Sequence, residues 1–309
     1  MTDAEQAAAH WDGQVIRLIG ARENLVYELS LTNGRRAALR LHRTAYQTAD
    51  AIRAEIDWCA ALAASGLPVA SPLAGAGGER LIRLASGRYA SATAWVDGVP
   101  LGANGQALGG TTAERVVLHH HLGRLLANLH ATSDANPPHP FPRSAWDIDG
   151  LTGPTPVWGR FWEHPAATPD QTETLRLAQV MIRERLFETR KSGADEGPIH
   201  ADVVRENVLV AGGQVALIDF DDCGTGFRAY DLGTAMVQNE YEPAREELRD
   251  ALIAGYAELR PIDAATVEVM TLARACASVG WTMPRLAASD PIHQRHIARA
   301  VKAARRMLG

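Results

Sequence analysis

HADVVRENVLVAGGQVALIDFDD, running from His200 to Asp222, is the stretch that decides how this chain reads. Val208–Val210 and Gln214–Ile218 are apolar and rich in β-branched residues, and Gly212-Gly213 lies between them, which signals a hairpin. Counting back from the turn, Val210 pairs near Val215 and Asn207 near Ile218. Asn207 and Asp219 are therefore expected together at the open end, where cross-strand neighbours lie ~5 Å apart. Asp202 sits in the loop leading into the first strand. Two carboxylates and an amide oxygen converge on one small region. Hard oxygen ligands of this kind suit magnesium, which takes one or two carboxylates plus substrate phosphates. A further carboxylate can orient an attacking hydroxyl and accept its proton.

Upstream of this segment, the first third of the chain reads as short strands. Gln14–Ile19 is one. Leu25–Leu31 alternates, with Leu25, Tyr27, Leu29 and Leu31 on one face, and Asn33-Gly34 is a hairpin turn leading to a partner strand at Ala37–His42. On that strand Leu39 and Leu41 face one way and Arg40 the other. A helix is predicted over Ala49–Ala64, with Ile52, Ile56, Cys59 and Ala63 as its apolar stripe and Glu55 at the stripe's edge. Strands near Leu81–Leu84 and Arg88–Trp95 follow. From Asp97-Gly98 the character changes to a Gly-rich connector over Val99–Gly110. A helix at Thr112–Thr132, a Pro-rich loop at Asp134–Pro156 and a helix at Gln171–Lys191 come next. Beyond the 200–222 segment, helices are expected at Ala244–Leu259, Ala264–Ala277 and His293–Leu308.

In this setting H-x-D-x4-N, followed by a strand and I-D-F, resembles the catalytic and metal-binding loops of the aminoglycoside phosphotransferase and choline kinase-like superfamily. GTGFRAYDLGTAM continues the likeness, with Asp231 in a YDLA-like position. GARENLVYEL from Gly20 is similar to the S-x-E-N-x-V-Y segment of the branch containing homoserine kinase type II and stress response kinase A. The resemblance implies an α+β, bilobal protein kinase-like fold, with a small antiparallel-sheet N-lobe carrying one helix and a larger helical C-lobe. Residues 1–96 would form the nucleotide-binding lobe and residues 97–309 the catalytic and substrate-binding lobe. It implies ATP and magnesium as cofactors, Asp202 as catalytic base, and Asn207 and Asp219 as metal ligands. His200 and Asp231 would support the catalytic loop. The third strand of such a fold carries a phosphate-gripping lysine; this chain has lysine only at Lys191 and Lys302, and Arg40 stands in that place. Glu55 would pair with Arg40. Main-chain groups near Ala94 and Val96, in a hinge over Thr93–Gly98, would meet the adenine.

The resemblance points to phosphoryl transfer to the hydroxyl of a small metabolite: an amino alcohol, or a homoserine-like or aminoglycoside-like compound. An acidic C-lobe cleft would suit a cationic amine, with Asn136–Pro156 and Val157–Trp162 lining the pocket. A protein serine/threonine kinase and a nucleotide-binding pseudokinase module are the alternatives. Against the former, no A-P-E follows Asp219. Asp221 is balanced between a second metal contact and a cap or loop role, and Asp222 is left open beside it.

Other features point away from chemistry. GAGGE at Gly75 reads as a hairpin turn, and His119-His120-His121, His293 and His296 read as solvated helix faces. Cys223 reads as a packing residue. The net charge of -5 supplies no basic field for nucleic acid or an anionic membrane. Three cysteines without a C-x-x-C, and an N-terminus without a basic and apolar leader, place the expectation in the cytoplasm.

Overall fold

The computed structural model describes residues 2–21 and 23–309. Helix α1 (Asp3–His10) opens the chain, held by a capping box in which Glu5 and Thr2 exchange backbone-to-side-chain hydrogen bonds. Eight residues are too few to show a period, and no helix is expected here from the sequence. Strands β1 (Gly13–Ala21), β2 (Leu25–Leu31) and β3 (Arg36–Leu41) follow as an antiparallel meander. After α2 (Ala49–Ala64), strands β4 (Pro72–Leu73), β5 (Leu81–Arg83) and β6 (Tyr89–Ala94) complete a six-stranded sheet of order β1-β2-β3-β6-β4, with β5 on β6.

The pleat sorts the residues of β3. Leu39 and Leu41 are buried with Leu29, Ala90 and Ala92 against Ala4, Ala7, Ala8 and Trp11 of the α1 side. Arg40 therefore projects from the opposite face, where α2 lies. The sheet thus carries a helix on each face rather than α2 alone.

The rest of the chain is mainly helical. β7 (Val99–Pro100) pairs with β10 (Val208–Ala211), which forms the expected hairpin with β11 (Gln214–Leu217) in the register Val210↔Val215. Helix α3 (Thr112–Ala135) runs between them in sequence. The Asp134–Pro156 segment departs from expectation: it contains β8 (Ser144–Trp146) and α4 (Ile148–Thr152). After α5 (Pro169–Lys191) comes β9 (Glu196–Ile199). Beyond the hairpin, β12 (Gly224–Phe227) lies between β8, in parallel, and β9. At three or four residues each, these strands are too short to show an alternation. Helices α6 (Ala229–Val237), α7 (Arg245–Ala257), α8 (Ala264–Thr282) and α9 (Ile292–Leu308) finish the chain. Among the described residues, no helix is long and apolar enough to cross a membrane.

The histidines also differ from expectation. His119 is buried, its Nδ1 2.7 Å from the Arg115 carbonyl and its Nε2 2.9 Å from Asn239 Nδ2. His121 Nδ1 lies 2.9 Å from the Gly213 carbonyl, tying α3 to the hairpin turn. His293 is buried 3.0 Å from His164 Nε2. A polar residue on a helix reads as solvated only until a neighbouring element covers it.

Candidate active site

The hairpin ladder continues one step past β11: the Ile218 amide donates to the Asn207 carbonyl at 3.0 Å. The side chain of Asn207 turns toward the preceding loop. Its Nδ2 donates to the carbonyl of Asp202 at 2.9 Å and to Asp202 Oδ2 at 2.8 Å. Both amide hydrogens are thereby used on Asp202, and among the described residues Oδ1 is left as a free acceptor. Asp219 adopts φ +64°, a left-handed conformation that costs a non-glycine residue energy and recurs at functional turns.

The loop carrying Asp202 is held from beneath. Ala201 also sits at φ +64°. Asp231, fully buried at the start of α6, accepts the His200 amide at 2.9 Å and the Ala201 amide at 2.7 Å. His130 Nε2 lies 3.1 Å from the same carboxylate, and Tyr256 Oη 2.8 Å from His130 Nδ1. Burial alone would raise the Asp231 pKa, but the His130 bond and the loop amides outweigh it and hold the group below the usual carboxylate range. Burial lowers the His130 pKa. The pair is thus an ionised carboxylate and a neutral imidazole. His200 Nε2 donates to the Ile218 carbonyl at 3.1 Å while the Asp202 amide donates to Nδ1 at 3.2 Å. His200 therefore bridges the Asp202 loop to the end of β11.

Arg40 reaches this cluster from the sheet. Its Nη1 donates to Glu55 Oε1 at 2.8 Å and its Nη2 to Asp219 Oδ1 at 2.8 Å, with Asp221 3.7 Å away. Glu55 is buried, not solvated. Burial would lower the Arg40 pKa, but Asp219, Glu55 and Asp221 raise it above its ordinary value. The Glu55 carboxyl is pushed up by burial and only partly drawn back by Arg40 and Arg143. Asp219 is likewise raised, first by burial and then, against Arg40, by Asp221 and Asp202. Asp222 is raised well above its ordinary value, by burial followed by Asp202, Asp221 and Asp219. Carboxylates crowded in this way favour a bound cation. With the free Asn207 oxygen beside them, the donor set fits magnesium, although among the described residues no cluster of three His, Cys, Asp or Glu side chains forms a complete cage.

Asp221 accepts from Asn24 Nδ2 at 2.9 Å, and Asn24 Oδ1 accepts the Arg43 amide at 2.8 Å. The Asn of the E-N pair thus ties the β1–β2 loop to the Asp219–Asp222 segment; Arg22 of that loop lies outside the described residues. Asp222 Oδ1 accepts from Tyr46 Oη at 3.2 Å. Ala94 and Val96 stand at the end of β6. The Ala94 amide already donates to the Ser71 carbonyl at 2.7 Å, while among the described residues the Val96 backbone makes no internal hydrogen bond. Of this pair, only Val96 offers a free amide.

Two residues here had no place in the sequence reading. Arg274 Nη2 donates to Asp202 Oδ1 at 2.7 Å, and its guanidinium lies 4.7 Å from the Trp158 ring. It is a lone charge in the apolar window MTLARACASVGW, which is a signal in itself. Arg143 lies in a loop without periodicity. Its Nε donates to the Cys223 carbonyl at 3.0 Å, its Nη2 donates to the Asp221 carbonyl, and its Nη1 stands 3.6 Å from Glu55. Carboxylates thus gather around Asp219–Asp222, and arginine occupies the α8 side. Two surface concavities, of about 530 and 510 Å³, lie elsewhere, between α3 and α7 and around Arg260, and of the site groups named above only Tyr256 lines either.

Residues 15–266 match the phosphotransferase enzyme family. A homoserine kinase of Methylobacterium radiotolerans is 30% identical over 230 residues, spanning 73% of this chain and 65% of that one. The microcompartment-associated aminopropanol kinase superposes with a TM-score of 0.82 at 27% identity, covering 99% of this chain and 96% of its own. An amicoumacin kinase in complex with AMP-PNP, Ca2+ and Ami gives a TM-score of 0.78 at 20% identity, covering 98% and 92%.

Proposed function

Because this chain belongs to the phosphotransferase enzyme family, and is thus a kinase with a hydroxyl acceptor, we propose that it moves the γ-phosphoryl group of ATP to the hydroxyl of a small metabolite with magnesium bound. The observation that carries this is the meeting of Asp202, Asn207 and Asp219 around the end of the hairpin, with Arg40 delivered from the sheet 2.8 Å from Asp219. In this reading Asn207 Oδ1 and Asp219 hold the metal. When bound, magnesium neutralises charge developing on the β- and γ-phosphate oxygens. Arg40 grips the phosphates, exchanging its bond to Asp219 for them, and Glu55 and Arg143 hold it in position. The Val96 backbone meets the adenine in preference to the committed Ala94 amide. Asp202 orients the acceptor hydroxyl. The hydroxyl oxygen bonds to the γ-phosphorus, the bond to the ADP oxygen breaks, and the hydroxyl proton passes to Asp202. His200 and Asp231 keep the loop in register.

The kinases of homoserine and aminopropanol among the relatives support a small hydroxylated acceptor. The AMP-PNP and Ca2+ of the amicoumacin kinase support a nucleotide with a divalent cation. We assign residues 1–96 to nucleotide binding, residues 97–309 to catalysis and acceptor binding, and the whole to the cytoplasm. The protein-kinase reading gains no support, since only nine residues separate Asp219 from α6 and four of them form β12. The test is ADP release with magnesium and a panel of small alcohols. Asp202→Asn is expected to lose ~10²- to 10⁴-fold in kcat, the usual worth of a positioned base. Equal turnover by the variant sinks the assignment of Asp202.

A further inference from the structure

Arg299, on α9, is buried to 6% exposure, yet among the described residues no carboxylate lies within ion-pair distance of it. Its Nη2 donates to Asn104 Oδ1, and its Nε has no partner. A buried guanidinium without a counter-charge is costly, and the ordinary remedies are an ion pair or a ligand. The neighbourhood repeats the pattern. Arg274 Nε, Trp158 Nε1 and His296 Nδ1 are also buried without hydrogen-bond partners. Four orphaned polar atoms, on the 158 segment, α8 and α9, gather beside one another. Arg274 meets Trp158 at 4.7 Å, and burial, followed by the nearby Arg274 charge, lowers the Arg299 pKa. Burial, then Arg299, Arg274 and Arg295, push the His296 pKa down to about 3, so that ring is neutral.

This cluster adjoins the Asp202 loop. Asn104, the partner of Arg299, donates its amide to Glu206 Oε1 at 2.7 Å, and Glu206 lies between Asp202 and Asn207 in sequence. Arg274 itself bonds Asp202 at 2.7 Å. A group bound by Arg299 and Arg274 would therefore belong to the molecule whose hydroxyl meets Asp202. The charges set its kind. Asp202 already answers Arg274, His296 is neutral, and one guanidinium remains unmatched. That balance suits a monoanion.

We propose that the acceptor carries a carboxylate, bound by Arg299 with Arg274, His296 and Trp158 supplying the remaining donors. This rests on the phosphotransfer reading above and narrows its acceptor from alcohols in general to hydroxy acids, against the cationic amine alone that an acidic cleft would select. Serine with ethanolamine, threonine with 1-aminopropan-2-ol, and homoserine with 3-aminopropan-1-ol are pairs differing only by the carboxylate. Across these pairs, kcat/KM is expected to favour the acid by ~10- to 100-fold, the usual worth of charge-assisted hydrogen bonds. Arg299→Gln is expected to shrink that ratio, and Arg299→Lys to restore part of it. A general loss of folding would lower both members together and leave the ratio as it was. Preference for the decarboxylated member, or an unchanged ratio in Arg299→Gln, overturns the proposal. So does a failure of all three acids while ATP hydrolysis without acceptor continues and depends on Asp202; in that case the phosphotransfer reading stands. Loss of hydrolysis as well overturns both.

Discussion

Arg40 is the residue on which the two halves of the site depend. It joins Glu55 of α2 to Asp219 beyond β11, each at 2.8 Å. Arginine keeps the charge of lysine but adds a planar fork, and here the fork is used: one nitrogen serves each carboxylate. A lysine at this place would offer one point charge to both. Removing the side chain leaves Glu55 buried beside Arg143 alone, 3.6 Å away. Arg40→Ala is therefore expected to raise the KM for ATP by ~10- to 100-fold. It should also cost about 2 kcal/mol, less than the full penalty of an orphaned buried carboxylate because Arg143 remains. Steady-state kinetics and urea titration check the two halves separately. An unchanged KM for ATP would remove Arg40 from the phosphate site.

At the scale of elements, the helical region depends on close approach and on charge. A Cβ on Gly123 of α3 would stand 2.0 Å from the Leu252 carbonyl, and one on Gly255 of α7 2.0 Å from the His120 carbonyl. Backbone cannot yield as a side-chain tip can, so α3 and α7 must separate to admit either. Gly123→Ala is expected to destabilise by about 1–3 kcal/mol despite alanine's better helix propensity, read as a lower melting temperature. Stabilisation would show that the helices part freely. Glu268 of α8 meets Arg245 and Arg249 of α7 and Arg306 of α9. Burial would raise its pKa, but these bonds bring it down to about 2. The unfolded chain therefore takes up this proton at higher pH than the fold does. The contribution is complete above the ordinary glutamate pKa of ~4.3 and disappears as pH falls through about 2. Glu268→Gln is expected to lower stability at neutral pH and to flatten the loss between those limits, measured by denaturation across an acid series. A slope equal to the parent's would show the network to be inert.

At the scale of the molecule, the hydrophobic core does not respect the division suggested by sequence. Trp58, Cys59 and Leu62 of α2 are buried with Leu122, Leu125 and Leu129 of α3, with Val208, Val215 and Leu217 of the hairpin, and with Phe220. Trp58 meets Phe220 edge-on at 5.4 Å, and Phe220 meets His200 at 4.3 Å. The helix that carries Glu55 thus shares a core with the loop that carries Asp202. Leu62→Ala is expected to cost about 2–5 kcal/mol by leaving a cavity, with unfolding still a single transition. Two separated transitions in calorimetry would mean the sheet and the helical region fold independently.

Much of this was legible because it was local. The Gly212-Gly213 turn and the alternation around it dictate the hairpin register, and register alone brings Asn207 beside Ile218 and hence near Asp219. Alternation on β3 likewise sends Arg40 away from Leu39, and the apolar period of residues 49–64 marks α2 to its ends. The position of Glu55 at the margin of that stripe was readable; its burial was not, because burial depends on what α2 packs against. The same holds for His119 and His293, whose helical faces look polar until Asn239 and His164 close over them. Arg143 and Arg274 enter the site from residues 80 and 72 positions distant along the chain from their partners Cys223 and Asp202. No spacing in sequence encodes such a meeting. The reaction class was therefore written in one contiguous segment, whereas the cluster of Trp158, Arg274, His296 and Arg299 exists only where α8, α9 and the 158 segment come together.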